Sequence, residues 1–279
     1  GVDVWSYFRH EAVPQTALPV GTILTLSASG SEMSASCVIT NEENGFKRGF
    51  NSPTHRPLFS ICNPELTYSV SRYQTGCGTV DIMMHTLERY FTQTRDTMLT
   101  DRIAEGILKS TIEAGRIADR EPDNYEARAT LMWAGSLSHN GLMACGNDGG
   151  DWACHQLEHE LGGMFDVAHG AGLAAVWGSW ARYVCDALPD RFEQFAVNVM
   201  GVENGDDKNA VIQKGIEAME NFFRQIEMPT DLGGLNIEVS EDQMKELALK
   251  CSHFGKRTIG CVKKLNQEDI YRIYQKAAD

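Results

Sequence analysis

From Gly78 onward, the apolar residues of this 279-residue chain recur at helical spacing almost without interruption to the C-terminus. The spacing predicts helices over Thr79–Thr92, Thr97–Ala118, Asn124–Cys145, Trp152–Leu161, Gly170–Cys185, Asp207–Ile226, Glu241–Cys251 and Gln267–Ala278. Asp123 and Ser240 stand just ahead of two of these runs and are the expected N-caps. The first sixty residues read differently. Gly21–Leu26, Cys37–Thr40, Gly45–Phe50 and Leu58–Cys62 are short strand-like runs between turn residues such as Asn44-Gly45. There is no internal repeat and no low-complexity stretch. The expected fold is mainly α, with a β-rich segment over residues 1–65 leading into an all-helical domain over residues 66–279.

The charge narrows the partners. A net charge of −13 makes the chain a poor general binder of phosphate backbones or anionic lipid, so neither nucleic acid nor membrane is expected. Eight cysteines are scattered without a CxxC pair, which suits free thiols in a reducing cytoplasm better than a disulfide framework.

Two stretches carry candidate chemistry. Asp81-Ile-Met-Met-His85 sets a carboxylate and an imidazole one helical turn apart, on the same side of a largely apolar helix. A buried carboxylate is costly unless paired or metal-bound, so the choice there is between an Asp–His hydrogen bond and a cation site. Downstream, His155 and His159 are again one turn apart, and His169 lies fourteen residues beyond His155. One unbroken helix would separate the latter two by roughly 21 Å. Gly162-Gly163 and Asp166 are expected to break it and let His169 fold back; otherwise these are solvated histidines at helix ends. Three imidazoles and a carboxylate suit Fe²⁺ or Zn²⁺ better than Mg²⁺ or Ca²⁺. His155-Gln-Leu-Glu158-His159 also matches the H-x-x-E-H pattern of inverted zinc peptidases, in which Glu158 would be the base.

Taken together, these residues resemble the iron-containing alcohol dehydrogenases, and within them the NADPH-dependent butanol dehydrogenase and aldehyde reductase branch. Trp152–Gly172 is similar to one family signature along its length, Gly78–Glu88 to another, and Leu24–Glu32 to a cofactor-side segment, with similarity from about Gly21 to the C-terminus. The resemblance implies Asp81, His85, His155 and His169 as ligands of one divalent metal (Fe²⁺ or Zn²⁺). It implies His159 as a catalytic group near nicotinamide and substrate, and Thr25, Ser29 and Lys47 as cofactor contacts. It also implies NADP(H) as cofactor, small alcohols and aldehydes as substrates, and a homodimer. The fold it implies is a dehydroquinate-synthase-like helical domain preceded by a remnant of an α/β nucleotide-binding domain. Departures fall on the cofactor side: Ser71-Arg72 stands where the family has Pro-Pro, Asn63-Pro64 where it has Asp-Pro, and Leu26 where it has a second threonine. No glycine-rich phosphate loop follows a strand and opens a helix. A truncated chain is therefore expected, with little or no turnover by itself.

Overall fold

All the strands fall between Gly21 and Ile61. The computed structural model, which describes residues 1–279, begins with a short helix, α1 (Val4–Phe8), followed by β1 (Gly21–Ile23), β2 (Ser36–Asn41), β3 (Phe46–Asn51) and β4 (Phe59–Ile61). Strands β2 and β3 form an antiparallel hairpin in register from Asn41–Phe46 to Ser36–Asn51. Gly45 takes the left-handed φ of +65° that the tight connection needs, as Asn44-Gly45 predicts. Strands β1 and β4 pair in parallel, and Ile23, Phe59 and Ile61 of that pair are exposed.

The rest is helical: α2 (Arg72–Tyr90), α3 (Met98–Arg120), α4 (Tyr125–His139), α5 (Ala153–Phe165), α6 (His169–Val184), α7 (Pro189–Asn198), α8 (Lys208–Gln225), α9 (Glu241–Cys251) and α10 (Gln267–Ala278). Helix α2 is the axis, buried from Thr75 to Tyr90 and packed against α3, α4 and α6. Its start lies seven residues before the expected one. Ser71 caps it by accepting from the Gln74 amide, and its polar first turn carries no apolar period to announce it. Asn124, not Asp123, caps α4. Helix α4 also stops at His139, because Gly141 at φ +102° turns the chain before Cys145. Ser240 caps α9 with a reciprocal bond from Gln243, a full capping box. Helix α7, opened by Pro189 at its first position, has no counterpart in the sequence reading.

Gly162-Gly163 do not break the helix as expected. Helix α5 runs through them to Phe165, and the reversal comes at Asp166, in the left-handed region at φ +54°. The two glycines serve close approach instead. A Cβ on Gly162 would meet the Lys47 ammonium at 2.7 Å, and one on Gly163 the Gly45 carbonyl at 2.8 Å. They let the β hairpin lie directly on α5.

One continuous apolar core links α2 to α10 and includes a cluster of Phe91, Trp180 and Phe192; Phe91 and Phe192 stack at 4.4 Å. No residue before Cys77 belongs to it. The β segment is instead tied to the helices largely by polar contacts. Arg48 pairs with buried Glu160 at 2.8 Å, Lys250 donates to the Gly45 carbonyl at 3.1 Å, and Ser136 donates to Glu32 at 2.5 Å. No helix is long and apolar enough to cross a membrane.

Candidate metal centre

Helix α2 presents Asp81 and His85 one turn apart, α5 presents His155 from its first turn, and α6 begins with His169. The turn at Asp166 brings the last two together. Asp81 Oδ1 lies 3.3 Å from His85 Nδ1, 3.8 Å from His155 Nε2 and 3.6 Å from His169 Nε2. Ligand atoms around a four-coordinate ion with bonds of ~2.0–2.1 Å would be spaced by about 3.3 Å. Asp81 Oδ1, His85 Nδ1 and His155 Nε2 are buried and have no hydrogen-bond partner. Orphaned buried polar atoms cost about 1–3 kcal/mol each, and three of them facing one point are what a small divalent cation would satisfy.

Each of two imidazoles is oriented through its other nitrogen. His155 Nδ1 and its backbone amide both lie 2.9 Å from Glu88 Oε1. His169 Nδ1 bonds Glu158, and Lys47 Nζ reaches both Glu158 oxygens at 3.2 Å. Burial opposes protonation of His155, but the carboxylates of Asp81 and Glu88 outweigh it and lift its pKa to about 9. Burial, then the facing His139 and His155, push His85 well below the usual imidazole range. Burial works against the Glu158 carboxylate, yet His169 and Lys47 hold it ionised, at about 2.

The centre lies on a cleft of about 670 Å³ between the hairpin and the helices. His85, His155, His159 and His169 line it, as do Ser29 and Lys47; exposed Thr25 does not. The His159 ring lies 5.9 Å from that of His169 and 6.5 Å from that of His155. Burial, the largest cause, keeps it well below the usual range and so neutral. The peptidase reading does not fit: Glu158 is fully buried, does not line the cleft, and is held by Lys47 and His169.

Four neighbours were missed in the sequence. Glu88, three residues after His85, is readable as a third group on that helix face. His139 packs edge-on to His85 with ring centres 3.9 Å apart, its Nε2 3.0 Å from Ser36 Oγ; burial, then Arg89, push it down to about 3. Trp152 and Arg89 stack on each other beside the rings, Arg89 one turn after His85 and Trp152 three residues before His155.

Comparison with known proteins places the chain in a family. Residues 75–278 match the Fe-containing alcohol dehydrogenase family, C-terminal, and residues 1–64 match iron-containing alcohol dehydrogenase. The chain belongs to the iron-containing alcohol dehydrogenase family. NADH-dependent butanol dehydrogenase A of Clostridium acetobutylicum is 37% identical over 99% of this chain and 70% of its own length. The NADPH-dependent aldehyde reductase YqhD of Escherichia coli is 36% identical over 99% of this chain and 70% of its own. The solved NADH-dependent butanol dehydrogenase A of Thermotoga maritima superposes with a TM-score of 0.94 at 35% identity, over all of this chain and 70% of that one. Such agreement also bears out the mainly helical fold expected of an iron-containing alcohol dehydrogenase.

Proposed function

We propose that this iron-type dehydrogenase interconverts small primary alcohols and aldehydes with NAD(P)H, using Asp81, His85, His155 and His169 to hold one divalent metal, Fe²⁺ or Zn²⁺. The observation that carries the reading is the convergence of three buried, partnerless donor atoms on one point, with His169 beside them. When bound, the metal would supply Lewis acidity toward the substrate oxygen, and the nicotinamide the hydride. The chain's own residues prepare the place. Glu88 and Glu158 fix the His155 and His169 ring directions, which raises ligand basicity as well as order. Burial keeps His85 unprotonated and ready to ligate. His159, neutral and facing the cleft, is placed to hydrogen-bond the substrate oxygen and to pass its proton. Ser29 and Lys47 on the hairpin side, with Thr25 nearby in sequence, are the proposed cofactor contacts; the named relatives include both NADH- and NADPH-dependent enzymes. Eight free thiols suit a reducing cytoplasm.

Metal analysis of Asp81→Ala and His155→Ala tests the centre. Each substitution is expected to remove most of the bound metal. Full metal content in both would overturn the four-residue assignment. Oxidation of NADH or NADPH on addition of butanal tests the activity.

A further inference from the structure

Two arginines that line the cleft, Arg56 and Arg89, make no ion pair, and of the two Arg89 is the buried one. Arg89 sits on α2, one turn beyond His85, and only 7% of its surface is exposed. Its Nη1 donates to the His85 carbonyl at 2.7 Å and the Ser138 carbonyl at 3.2 Å. The guanidinium lies over the Trp152 ring, 4.4 Å from its centre. Its Nε and Nη2 have no protein partner, are not among the fully enclosed atoms, and belong to a residue that lines the cleft. No carboxylate pairs with it directly, although the charge of Glu88, its neighbour along the chain, acts on it. Asp81 faces the three imidazoles, Glu88 is turned to His155, and Glu158 is held by Lys47 and His169.

Burying a charge without a partner costs free energy. Capping two carbonyls and stacking on Trp152 account for one nitrogen and one face of Arg89. They leave unexplained a forked pair of donors open beside the metal centre. That fork matches a carboxylate in shape and charge. Resting on the metal-dependent reading above, we propose that Arg89 binds a carboxylate of the substrate, so that the preferred alcohols and aldehydes carry an anionic group a few carbons from the reacting oxygen. The separation follows from the helix: residues four apart have Cβ atoms about 5–6 Å apart, which a short carbon chain can span.

The test compares two ligands that differ only in the carboxylate, 4-hydroxybutanoate and butan-1-ol, titrated calorimetrically into the metal-loaded chain. Wild type is expected to bind 4-hydroxybutanoate at least about tenfold more tightly, the scale of one charge-assisted hydrogen bond. Arg89→Gln should bring the ratio to near one, and Arg89→Lys should keep part of it. Equal affinities in wild type overturn the proposal, whether or not Arg89→Gln folds. So does an unchanged ratio in a folded Arg89→Gln. Another anion source is the dinucleotide's phosphates. If Arg89→Gln weakens NADH or NADPH binding and leaves the ratio of the two alcohols intact, the anion is the cofactor's and the substrate proposal falls. Failure of the metal reading shows separately, as a wild-type chain without metal after loading.

Discussion

The two carboxylate–histidine pairs of the proposed metal centre are built alike but anchored differently. Glu88 and His155 both lie inside the helical core, and one Glu88 oxygen serves the His155 ring and the His155 backbone amide together. His169 opens on the cleft, its side chain 31% exposed, while its partner Glu158 is fully buried but shared with Lys47 of the β hairpin. One imidazole is therefore fixed by the helices that hold the core together. The other is fixed partly through a segment that contributes nothing to the continuous apolar core and docks largely through ion pairs and hydrogen bonds. The difference teaches that one side of the centre inherits the stability of the core, and the other the stability of a polar interface.

The largest expected effect lies on the core side. Glu88→Ala removes the partner of a buried histidine whose proton it helps to hold, and it orphans a buried backbone amide. A stability loss of about 3–5 kcal/mol is expected from breaking such a pair. A 10–100-fold loss of metal affinity should accompany it. Denaturant unfolding and metal titration read the two, and a loss under about 1 kcal/mol would mean the pair is not what fixes His155.

Glu158→Gln should weaken metal binding by about tenfold, the low end of that range, since His169 keeps a neutral acceptor. Its stability cost should be smaller than that of Glu88→Ala, because the freed Lys47 ammonium is 18% exposed and can reach water. A cost equal to that of Glu88→Ala would erase the distinction between the two sides. The same carboxylate predicts an acid response. Its folded pKa of about 2 lies below the ordinary 4.5, so the stability it adds is complete above pH 4.5 and is lost as pH falls toward 2. The shift corresponds to something on the order of 3 kcal/mol. Acid unfolding of the metal-free chain should move to higher pH in Lys47→Met, whose Glu158 has lost one of the charges that depress it.

How far the sequence disclosed this depends on which residues had a period to follow. Asp81, His85, His155 and His159 sit at intervals of four on helices, and their shared faces are legible from spacing alone. Most of the helices were legible for the same reason, down to the cap at Ser240, while α7 and the cap at Asn124 were not. His169 was legible only as a possibility, since its approach turns on Asp166 adopting a left-handed conformation that spacing does not encode. The role of Gly162-Gly163 was misread because low helix propensity looks the same whether a glycine ends a helix or admits a neighbouring chain. The sequence offers Glu158 a role only through the alternative peptidase pattern, because its partners, Lys47 and His169, lie 111 and 11 residues away along the chain. Arg89, one turn beyond His85, had the same spacing to follow, whereas His139 belongs to the site through contacts between α2, α4 and the hairpin, which leave no mark in local sequence.

The smallest expected effect separates hairpin docking from metal chemistry. Lys47→Met removes one of several polar ties between β3 and α5, while Arg48–Glu160 and the Lys250 contact to Gly45 remain. Near pH 7, the global stability loss should stay within about 1 kcal/mol, because Lys47 is partly exposed and solvent screens its pairing. Metal affinity should fall only a few fold, since Glu158 still orients His169. Local opening is where the change should show. Amide exchange over residues 36–51 should quicken, while exchange in α2, buried along most of its length, should not. Quickening in both would mean that the hairpin and the core unfold as one unit, and the two sides of the centre would then share a single source of stability.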